Sequence, residues 1–435
     1  MTSLKDRPNI LFILSDDHGY GDTSVYGGED IRTPNIDRIA HGGIRFTQFY
    51  ANSPVCSPSR AALLTGRYPD MVGVPGVIRT HAENSWGYFD PGAVTLPQIL
   101  KSDGYQTAMV GKWHLGLEPE NHPCQRGFVH FRGFLGDMMD DYVTHLRHGY
   151  NYMRDGDETI DPEGHATDIF TDWAVDYIED RSEQDDPFFL YLAYNAPHTP
   201  IQPPDEWLDR VRQREPDLTE QRARYVALVE HMDHGIGQVL EALEQSGDAS
   251  NTLVVYASDN GGQLDAGASN APWRGAKQEM YEGGIRVPCC AMWPGRIPAG
   301  QVSDQTAMLM DWFPTICAAG QVPVEHEIDG RSILPLLLGG TVDFEGRHYY
   351  WVRREGGKWH SHLYNGLAYH AVRRDNMKLL RNDAFSSLEL YSVQDDPVEN
   401  VNLARTDTDT LDELQATMQQ QVQQAGHVPW QKPAD

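Results

Sequence analysis

The feature that most constrains this chain is a set of apolar runs, each followed closely by a short polar cluster. Continuous apolar runs are typical of strands covered on both faces of a sheet. Four runs fit this description, at residues 8–14, 107–110, 188–193 and 252–257. In open α/β sheets, ligands bind just beyond the carboxyl ends of the strands. Each polar residue alone is more readily explained as a loop cap, but together they predict a shared site of Asp16, Asp17, Lys112, His114, His198, Asp259 and Asn260.

Helical periodicity fills the segments between these runs. One predicted helical face comprises Ile169, Phe170, Trp173, Ala174, Tyr177 and Ile178. A second comprises Val226, Val229, Ile236, Val239, Leu240 and Leu243, in a long segment that ends near Gly247. Alternating strands and helices predict the α/β class, with a large mixed, mostly parallel sheet sandwiched by helices.

The pattern changes after Gly339 and Gly340. Short strand-like pieces follow at 347–352, 377–380 and 387–391, and a helix is expected at about 411–423. We therefore predict a large α/β domain at residues 1–340. A smaller C-terminal α+β subdomain with an antiparallel sheet would occupy residues 341–435.

Composition and charge narrow the function. The 435 residues carry a net charge of −28, the opposite sign to that of a typical nucleic-acid binder. No apolar run approaches the ~20 residues that a membrane helix requires. The first apolar run lacks the cleavage site of a signal peptide, so the sequence as given predicts a cytoplasmic protein. A removed export signal would make the protein periplasmic or secreted.

One stretch departs from the acidic average. Residues 351–381 contain seven Lys or Arg residues and two acidic ones, and also hold His360, His362 and His370. Because the overall field repels anions, an anionic substrate would need a locally basic site. This stretch is a candidate wall of such a site, although a solvated hairpin would look the same.

The five cysteines are Cys56, Cys124, Cys289, Cys290 and Cys317, an odd number without zinc-type spacing. Four of them are expected to be small buried hydrophobes. Cys56 differs, because Pro58 and the residues after it predict a helix that begins just beyond Cys56. A helix N-terminus and Arg60 would both lower the pKa of a thiol, so a thiolate nucleophile is the simple interpretation.

The residues around Cys56 also resemble a known family. Cys56-Ser57-Pro58-Ser59-Arg60 resembles the C-x-P-S-R signature of the type I, formylglycine-dependent sulfatases of the alkaline phosphatase superfamily. Further segments resemble that family in the expected order: residues 8–17, 63–67, 111–116, 196–200, 259–262, 274–277, 282–288 and 390–404. The similarity spans nearly the whole chain, and an ordered set is far more specific than one short motif.

The resemblance implies a hydrolase that releases sulfate, and many relatives act on sulfated polysaccharide fragments. It implies that a maturation enzyme converts Cys56 to formylglycine, whose hydrate is the nucleophile held by Arg60. His198, with Lys277, would protonate the leaving alcohol, and His114 would be the base. Lys112 and Lys277 would clamp the sulfate. Ca²⁺, or alternatively Mg²⁺, would be bound by Asp16, Asp17, Asp259, Asn260 and the formylglycine oxygen at position 56, and oxygen ligands suit such hard cations.

Two positions depart from the family pattern without removing a function. Ala276 stands where glycine is common, and Asn260 stands where some relatives have Asp or His. Substrate-contacting candidates are residues 133–165, which include Arg147 and His148, together with His81, Trp86 and Tyr88. The alternative for each of these residues is a packing role in a loop.

Three alternatives remain open from the sequence. The same scaffold serves phosphomonoester and phosphonate ester hydrolases. The chain would alternatively be a non-catalytic sulfoglycan-binding protein that retains the pocket, or an enzyme that uses Cys56 as an unmodified thiolate. The sequence does not determine the oligomeric state.

Overall fold

A computed structural model describes residues 7–81, 84–182, 184–355, 367–382 and 385–432. The described strands are β1 (Asn9–Ser15), β2 (Ile44–Phe46), β3 (Phe49–Tyr50), β4 (Gln106–Lys112), β5 (His130–Phe134), β6 (Leu146–Arg147), β7 (Tyr150–Asn151), β8 (Met153–Asp155), β9 (Glu158–Thr159), β10 (Phe188–Ala193), β11 (Thr252–Ser258), β12 (Cys289–Met292), β13 (Gln301–Ser303), β14 (Ala307–Met308), β15 (His348–Glu355), β16 (Leu367–Arg374), β17 (Met377–Arg381) and β18 (Glu389–Ser392).

The described α-helices are α1 (Pro34–Gly42), α2 (Cys56–Thr65), α3 (Leu96–Ser102), α4 (Ala166–Arg181), α5 (Asp205–Arg214), α6 (Glu220–Gln245), α7 (Glu282–Ile285), α8 (Trp312–Ala319), α9 (Leu334–Leu337) and α10 (Thr408–Ala425). Short 3-10 helices span Tyr20–Asp22, Ser24–Tyr26, Pro69–Val72, Pro119–Asn121, Ala249–Asn251, Leu264–Ala266 and Leu309–Asp311. None of the described helices is both long and apolar enough to cross a bilayer.

Ten of the described strands form one sheet, in the order β13-β2-β12-β11-β1-β10-β4-β5-β8-β9. The five central strands, from β11 to β5, run parallel. Antiparallel pairing begins on either side of them, at β12 and at β8. This mixed, mostly parallel sheet confirms the fold class predicted from the sequence.

Helices cover both faces of this sheet because the central strands are apolar on both sides. In β1, Ile10 and Phe12 face a cluster that includes residues of α2, α3 and α8. Leu11 and Ile13 face the opposite cluster, which includes residues of α1, α4 and α6. Burial on both faces explains why the strand sequences show no alternation of apolar and polar residues.

The four strands β15, β16, β17 and β18 form a separate antiparallel sheet in chain order. Leu414 and Met418 of α10 join the same apolar cluster as Trp351 and Leu379 of this sheet. The predicted antiparallel sheet and C-terminal helix are therefore confirmed, whereas the domain boundary at residue 340 stays a prediction.

Buried polar contacts tie the C-terminal sheet to the rest of the protein. The Lys378 ammonium lies 2.8 Å from both Glu282 Oε1 and Glu399 Oε1, and all three side chains are fully buried. Arg286 Nη1 lies 3.2 Å from Glu282 Oε2. Close to the start of α2, Trp351 Nε1 donates to the Ala51 carbonyl at 2.8 Å. The C-terminal sheet is thus fixed to the segment that leads into Cys56.

We expect Lys378→Met to lower the free energy of unfolding by about 3–5 kcal/mol, because it leaves buried carboxylates without their main counter-charge. A urea titration of the folded protein measures this loss. Arg374→Met is the matched control, because Arg374 pairs with Glu413 at the surface and should change stability by no more than about 0.5 kcal/mol. Equal stability of the two variants would contradict the expectation.

Candidate active site

The predicted polar residues meet at the carboxyl edge of the central strands. Asp16 and Asp17 follow β1, and Asp259 and Asn260 follow its parallel neighbour β11. The Asp17 amide donates to Asp259 Oδ1 at 3.2 Å. All four side chains are buried, so carboxylates far apart in sequence share one enclosed region.

Helix α2 brings Cys56 to the same place. Val55 caps the helix in an extended conformation, and Cys56 is its first residue, one position earlier than the sequence suggested. The Cys56 thiol donates to Asp16 Oδ1 at 3.1 Å, and its sulfur lies 3.9 Å from Asp17 Oδ1. The whole helix is buried, and its N-terminus lies beside the acidic cluster in the interior of the protein.

The environment of Cys56 disfavours the thiolate form that the sequence suggested. Burial raises the pKa of Cys56 well above its ordinary value, and the Asp16 carboxylate raises it further. Lys277 and Lys112 lower it, but not enough to compensate. The helix N-terminus and nearby cations suggested the opposite direction, because the sequence did not show how close the carboxylates are. A thiol in this state is a poor nucleophile.

Cations neutralise the carboxylates directly. Arg60 donates from Nε to Asp259 Oδ2 at 3.0 Å, and its Nη2 lies 2.8 Å from the same oxygen. Arg60 Nη1 donates to the Lys112 carbonyl at 2.9 Å. The Lys112 ammonium contacts Asp16 Oδ2, and both side chains are fully buried. Arg60 and Lys112 are thus held between the ends of β11, β1 and β4.

Lys277 and His198 form a second pair beside Asp17. The Lys277 ammonium lies 2.6 Å from Asp17 Oδ2 and 3.0 Å from His198 Nε2. His198 Nδ1 donates to the Thr199 carbonyl at 2.7 Å, which leaves Nε2 to accept a proton from Lys277. Burial lowers the pKa of His198, and Lys277 lowers it further. In this arrangement the imidazole is neutral and the ammonium is the proton donor of the pair.

His114 has one free ring nitrogen. Its Nε2 donates to the Ile78 carbonyl at 2.8 Å, while Nδ1 is buried and has no hydrogen-bond partner among the described residues. Burial lowers its pKa well below the ordinary value, and Lys112 and Arg60 lower it further. A neutral imidazole with an available lone pair is the form that accepts a proton.

Three of the eight described non-glycine residues with a positive φ lie at this site. Asp17, His114 and Gln278 adopt left-handed conformations, with φ of 65°, 60° and 80°. Residues with a side chain rarely adopt this region, and such strain persists only where the surroundings impose it. Asp17 and His114 belong to the polar cluster, and Gln278 directly follows Lys277.

The donor set fits a hard divalent cation. Asn260 Nδ2 donates to Asp17 Oδ1 at 2.7 Å, whereas Asn260 Oδ1 is buried without a hydrogen-bond partner in the described structure. Ligand atoms of Asp16, Asp17, Cys56 and His198 all lie within 4.8 Å of one another. Burial and the neighbouring Asp16 raise the pKa of Asp259 to about 7. An orphaned amide oxygen and crowded carboxylates both favour a bound cation.

The candidate substrate-contacting residues divide into two groups. The exposed rings of His81 and His148 are in contact at a tilted angle, with centroids 4.8 Å apart. Trp86, by contrast, is buried and stacks on Trp430, and Arg147 is paired with Asp137 and Asp140. His81 and His148 therefore stay candidates, whereas Trp86 and Arg147 have structural partners.

In the described part of the basic stretch, residues 351–355 and 367–381, several of the cationic side chains are paired rather than open to solvent. Lys378 is buried against Glu282 and Glu399, and Arg373 is buried and donates to the Tyr50 hydroxyl at 2.7 Å. Arg374 pairs with Glu413. Lys358, His360 and His362 lie outside the described residues. The sequence count of charges could not reveal these pairings, because each partner is distant along the chain.

Sequence reasoning missed the supports of the His198 turn. The Tyr142 hydroxyl lies 2.8 Å from the carbonyl oxygens of both Asn195 and His198. It also missed a group of possible metal ligands formed by His165, Asp168 and His231. His165 has both ring nitrogens engaged, by Gln202 and Thr167. No local sequence signal marks either arrangement, because the partners come from separate segments.

A buried cysteine, carboxylates and cationic side chains meet at one sheet edge, an arrangement that fits an ester hydrolase. The Sulfatase family profile matches residues 8–322, and the profile "N-sulphoglucosamine sulphohydrolase, C-terminal" matches residues 274–427. N-acetylgalactosamine-6-sulfatase of Homo sapiens is 38% identical over 366 residues, which cover 79% of this chain and 68% of that protein. The chain belongs to the sulfatase family, and it is a sulfatase.

Solved structures show the same fold. Ps i-CgsB in complex with k-i-k-neocarrahexaose has a TM-score of 0.88 and 30% identity, covering 98% of this chain and 95% of that one. BT4656 in complex with its substrate D-glucosamine-2-N,6-O-disulfate has a TM-score of 0.77 and 25% identity, covering 98% of this chain and 100% of that one.

In protein whose Cys56 remains a thiol, we expect iodoacetamide to leave Cys56 unalkylated in the native state. The reason is its burial and its raised pKa, since only the thiolate reacts rapidly. Mass spectrometry of the cysteine peptides measures the modification, with half-buried Cys124 as the native-state control and urea-unfolded protein as the positive control. Rapid native alkylation of Cys56 would contradict this interpretation.

Proposed function

We propose that this sulfatase releases inorganic sulfate from a sulfated saccharide, using formylglycine formed from Cys56 and a bound Ca²⁺. The observation that supports it best is the enclosed contact of residue 56 with Asp16, beside Arg60 and both lysines. The raised pKa of Cys56 also supports it, because an unmodified thiol would be a weak nucleophile there. Conversion by a maturation enzyme would replace the thiol with a group whose hydrate reacts through oxygen.

Oxygen donors of Asp16, Asp17, Asp259 and Asn260 would hold Ca²⁺, or alternatively Mg²⁺. The ion would supply Lewis-acid polarisation of the sulfuryl group. Residue 56, as formylglycine hydrate, would supply the hydroxyl that attacks sulfur while the bond from sulfur to the leaving oxygen breaks. Arg60 would orient this hydroxyl, since its guanidinium is already fixed by Asp259 and the Lys112 carbonyl.

The two lysines and two histidines would complete the reaction. Lys112 and Lys277 would bind sulfate oxygens and stabilise the charge that develops on them. Lys277 and His198 are in hydrogen-bond contact, so the proton for the leaving alcohol would come from this pair. His114 Nδ1 would accept the proton from the second hydroxyl of residue 56, which allows sulfate to leave.

A saccharide substrate is supported by the relatives and by an exposed group of aromatic and imidazole side chains. Ps i-CgsB was solved with a neocarrahexaose, BT4656 with a sulfated glucosamine, and the human relative is an N-acetylgalactosamine-6-sulfatase. In this chain, exposed Tyr150 lies on the same short hairpin as His148, whose ring contacts that of His81. Aromatic faces and imidazoles are suited to sugar rings and their polar substituents.

The decisive experiment combines mass spectrometry of the Cys56 peptide with sulfate release from sulfated mono- and disaccharides. We expect formylglycine at position 56 and release from at least one saccharide. We expect Cys56→Ala to reduce turnover by about 10⁴-fold or more, as loss of a nucleophile does elsewhere. Cys317→Ala is the matched control, because Cys317 is buried in the main core away from the acidic cluster.

The same panel separates the alternatives. Faster release of phosphate than of sulfate from matched esters would replace this proposal with a phosphoester hydrolase. Saccharide binding without any turnover by fully converted protein would indicate a binding protein. Full turnover by unconverted, iodoacetamide-sensitive Cys56 would indicate a thiolate enzyme.

We expect His114→Ala to slow sulfate release by about 10²–10⁴-fold, with a smaller effect on the first release of the alcohol, because His114 would act only in the second half of the reaction. Rapid-mixing measurement of alcohol and sulfate in one sample tests this separation. His130→Ala, on the exposed start of β5, is the control. Parallel loss of both products would assign His114 to the first half instead.

A further inference from the structure

The turn at Lys277 and Gln278 joins several parts of the active site. The Lys277 amide donates to the Gly262 carbonyl at 3.1 Å, next to the loop that holds Asn260. The Gln278 amide donates to the Pro54 carbonyl at 2.9 Å, two residues before Cys56. The direction of the Lys277 side chain therefore depends on how this turn is held.

Gln278 is held in a strained conformation. Its φ of 80° lies in the left-handed region, which costs energy for any residue with a β-carbon. Without an external restraint, a turn of this kind relaxes toward an ordinary conformation, and Lys277 would move with it. The neighbouring backbone contacts fix amide groups, but they do not restrain the Gln278 carbonyl or its side chain.

Arg353 of β15 supplies that restraint from the C-terminal sheet. Its Nη1 donates to the Gln278 carbonyl at 2.8 Å, and its Nη2 donates to Gln278 Oε1 at 3.1 Å. A planar guanidinium can make two such bonds at a fixed angle, which a lysine ammonium cannot reproduce. Arg353 therefore holds both the backbone and the side chain of Gln278.

Arg353 is itself fixed. Its Nε donates to Glu355 Oε2 at 3.1 Å, and its guanidinium lies 5.2 Å from the centre of the Tyr369 ring. The other oxygen of Glu355 accepts a hydrogen bond from Arg79. The residue before Arg79 is Ile78, whose carbonyl accepts from His114 Nε2. The end of β15 thus contacts the supporting segments of both Lys277 and His114.

We propose that Arg353 is a positioning residue that acts through Gln278 to hold the Lys277 ammonium against Asp17 and His198. The inference rests on the proposed function, in which Lys277 helps to protonate the leaving alcohol. Within the described structure, the hydrogen bonds of Arg353 go to Gln278 and Glu355, not to the acidic cluster. Its effect on the reaction would be indirect.

The first test requires no turnover. Native protein is treated briefly with a succinimidyl ester, and the modification of each lysine is quantified by mass spectrometry. We expect Arg353→Lys and Arg353→Met to increase the labelling of Lys277 by about tenfold or more, relative to Lys101, which is exposed on α3 and serves as the internal standard. Gln278→Ala, which keeps the carbonyl contact, should give a smaller increase.

The second test uses aryl sulfates that differ in leaving group. A poor leaving group such as phenolate needs protonation more than p-nitrophenolate does. We therefore expect Arg353→Lys to lower kcat for phenyl sulfate by about 10- to 100-fold, the range for a slightly misplaced group, and kcat for p-nitrophenyl sulfate much less. KM should change little for either substrate.

Controls separate positioning from stability and from substrate contact. Arg374→Lys, on the neighbouring strand and paired with Glu413, should leave labelling and kinetics unchanged. Thermal unfolding of each variant shows whether the sheet stays folded at the assay temperature. Unchanged Lys277 labelling in folded Arg353 variants would overturn the proposal, as would a rise in KM for saccharides alone. Because labelling needs no catalysis, this result stands apart from failure of the proposed function.

Discussion

Three buried carboxylates at the ends of two neighbouring parallel strands are the constraint on which the rest of this structure depends. Asp16, Asp17 and Asp259 repel one another, and burial removes the water that would otherwise screen them. The protein compensates with Arg60 from α2, Lys112 from β4 and Lys277 from the loop before α7. Each of these cations also has a proposed place in the reaction, so stability and catalysis make use of the same contacts.

The C-terminal sheet is fixed to the segments that carry these active-site residues. A buried cluster of Lys378, Glu282 and Glu399 joins it to the segment that follows Lys277. Trp351 contacts the segment before Cys56. The strained turn after Lys277 meets the same sheet through Gln278. The sheet therefore contacts both the segment that leads into Cys56 and the turn that carries Lys277.

The exposed charges of the chain and the charges enclosed at the active site are screened to different extents. A net charge of −28 is spread mainly over exposed residues, where solvent and salt screen it. In the enclosed pocket, three cations and a divalent ion would together outweigh the three carboxylates. An anionic substrate can therefore bind to a strongly acidic protein, because the cations enclosed at the active site are closest to it and are screened least by solvent and salt.

The sequence by itself determined four of the five central parallel strands, the polar residues at their ends and the helix at Cys56. These features depend on local apolar patterning and on short ordered motifs. It predicted the members of the acidic cluster, because parallel strands bring their carboxyl ends to one edge. It failed for the pKa of Cys56, which is raised first by burial of the thiol and then by the Asp16 carboxylate, forty positions away in the chain and 3.1 Å from the sulfur. It also failed for the basic stretch, because Glu282, Glu399 and Glu413 neutralise it from other segments. Only the tertiary structure decided these matters, because burial and Coulomb interactions depend on distances in space that no local pattern encodes.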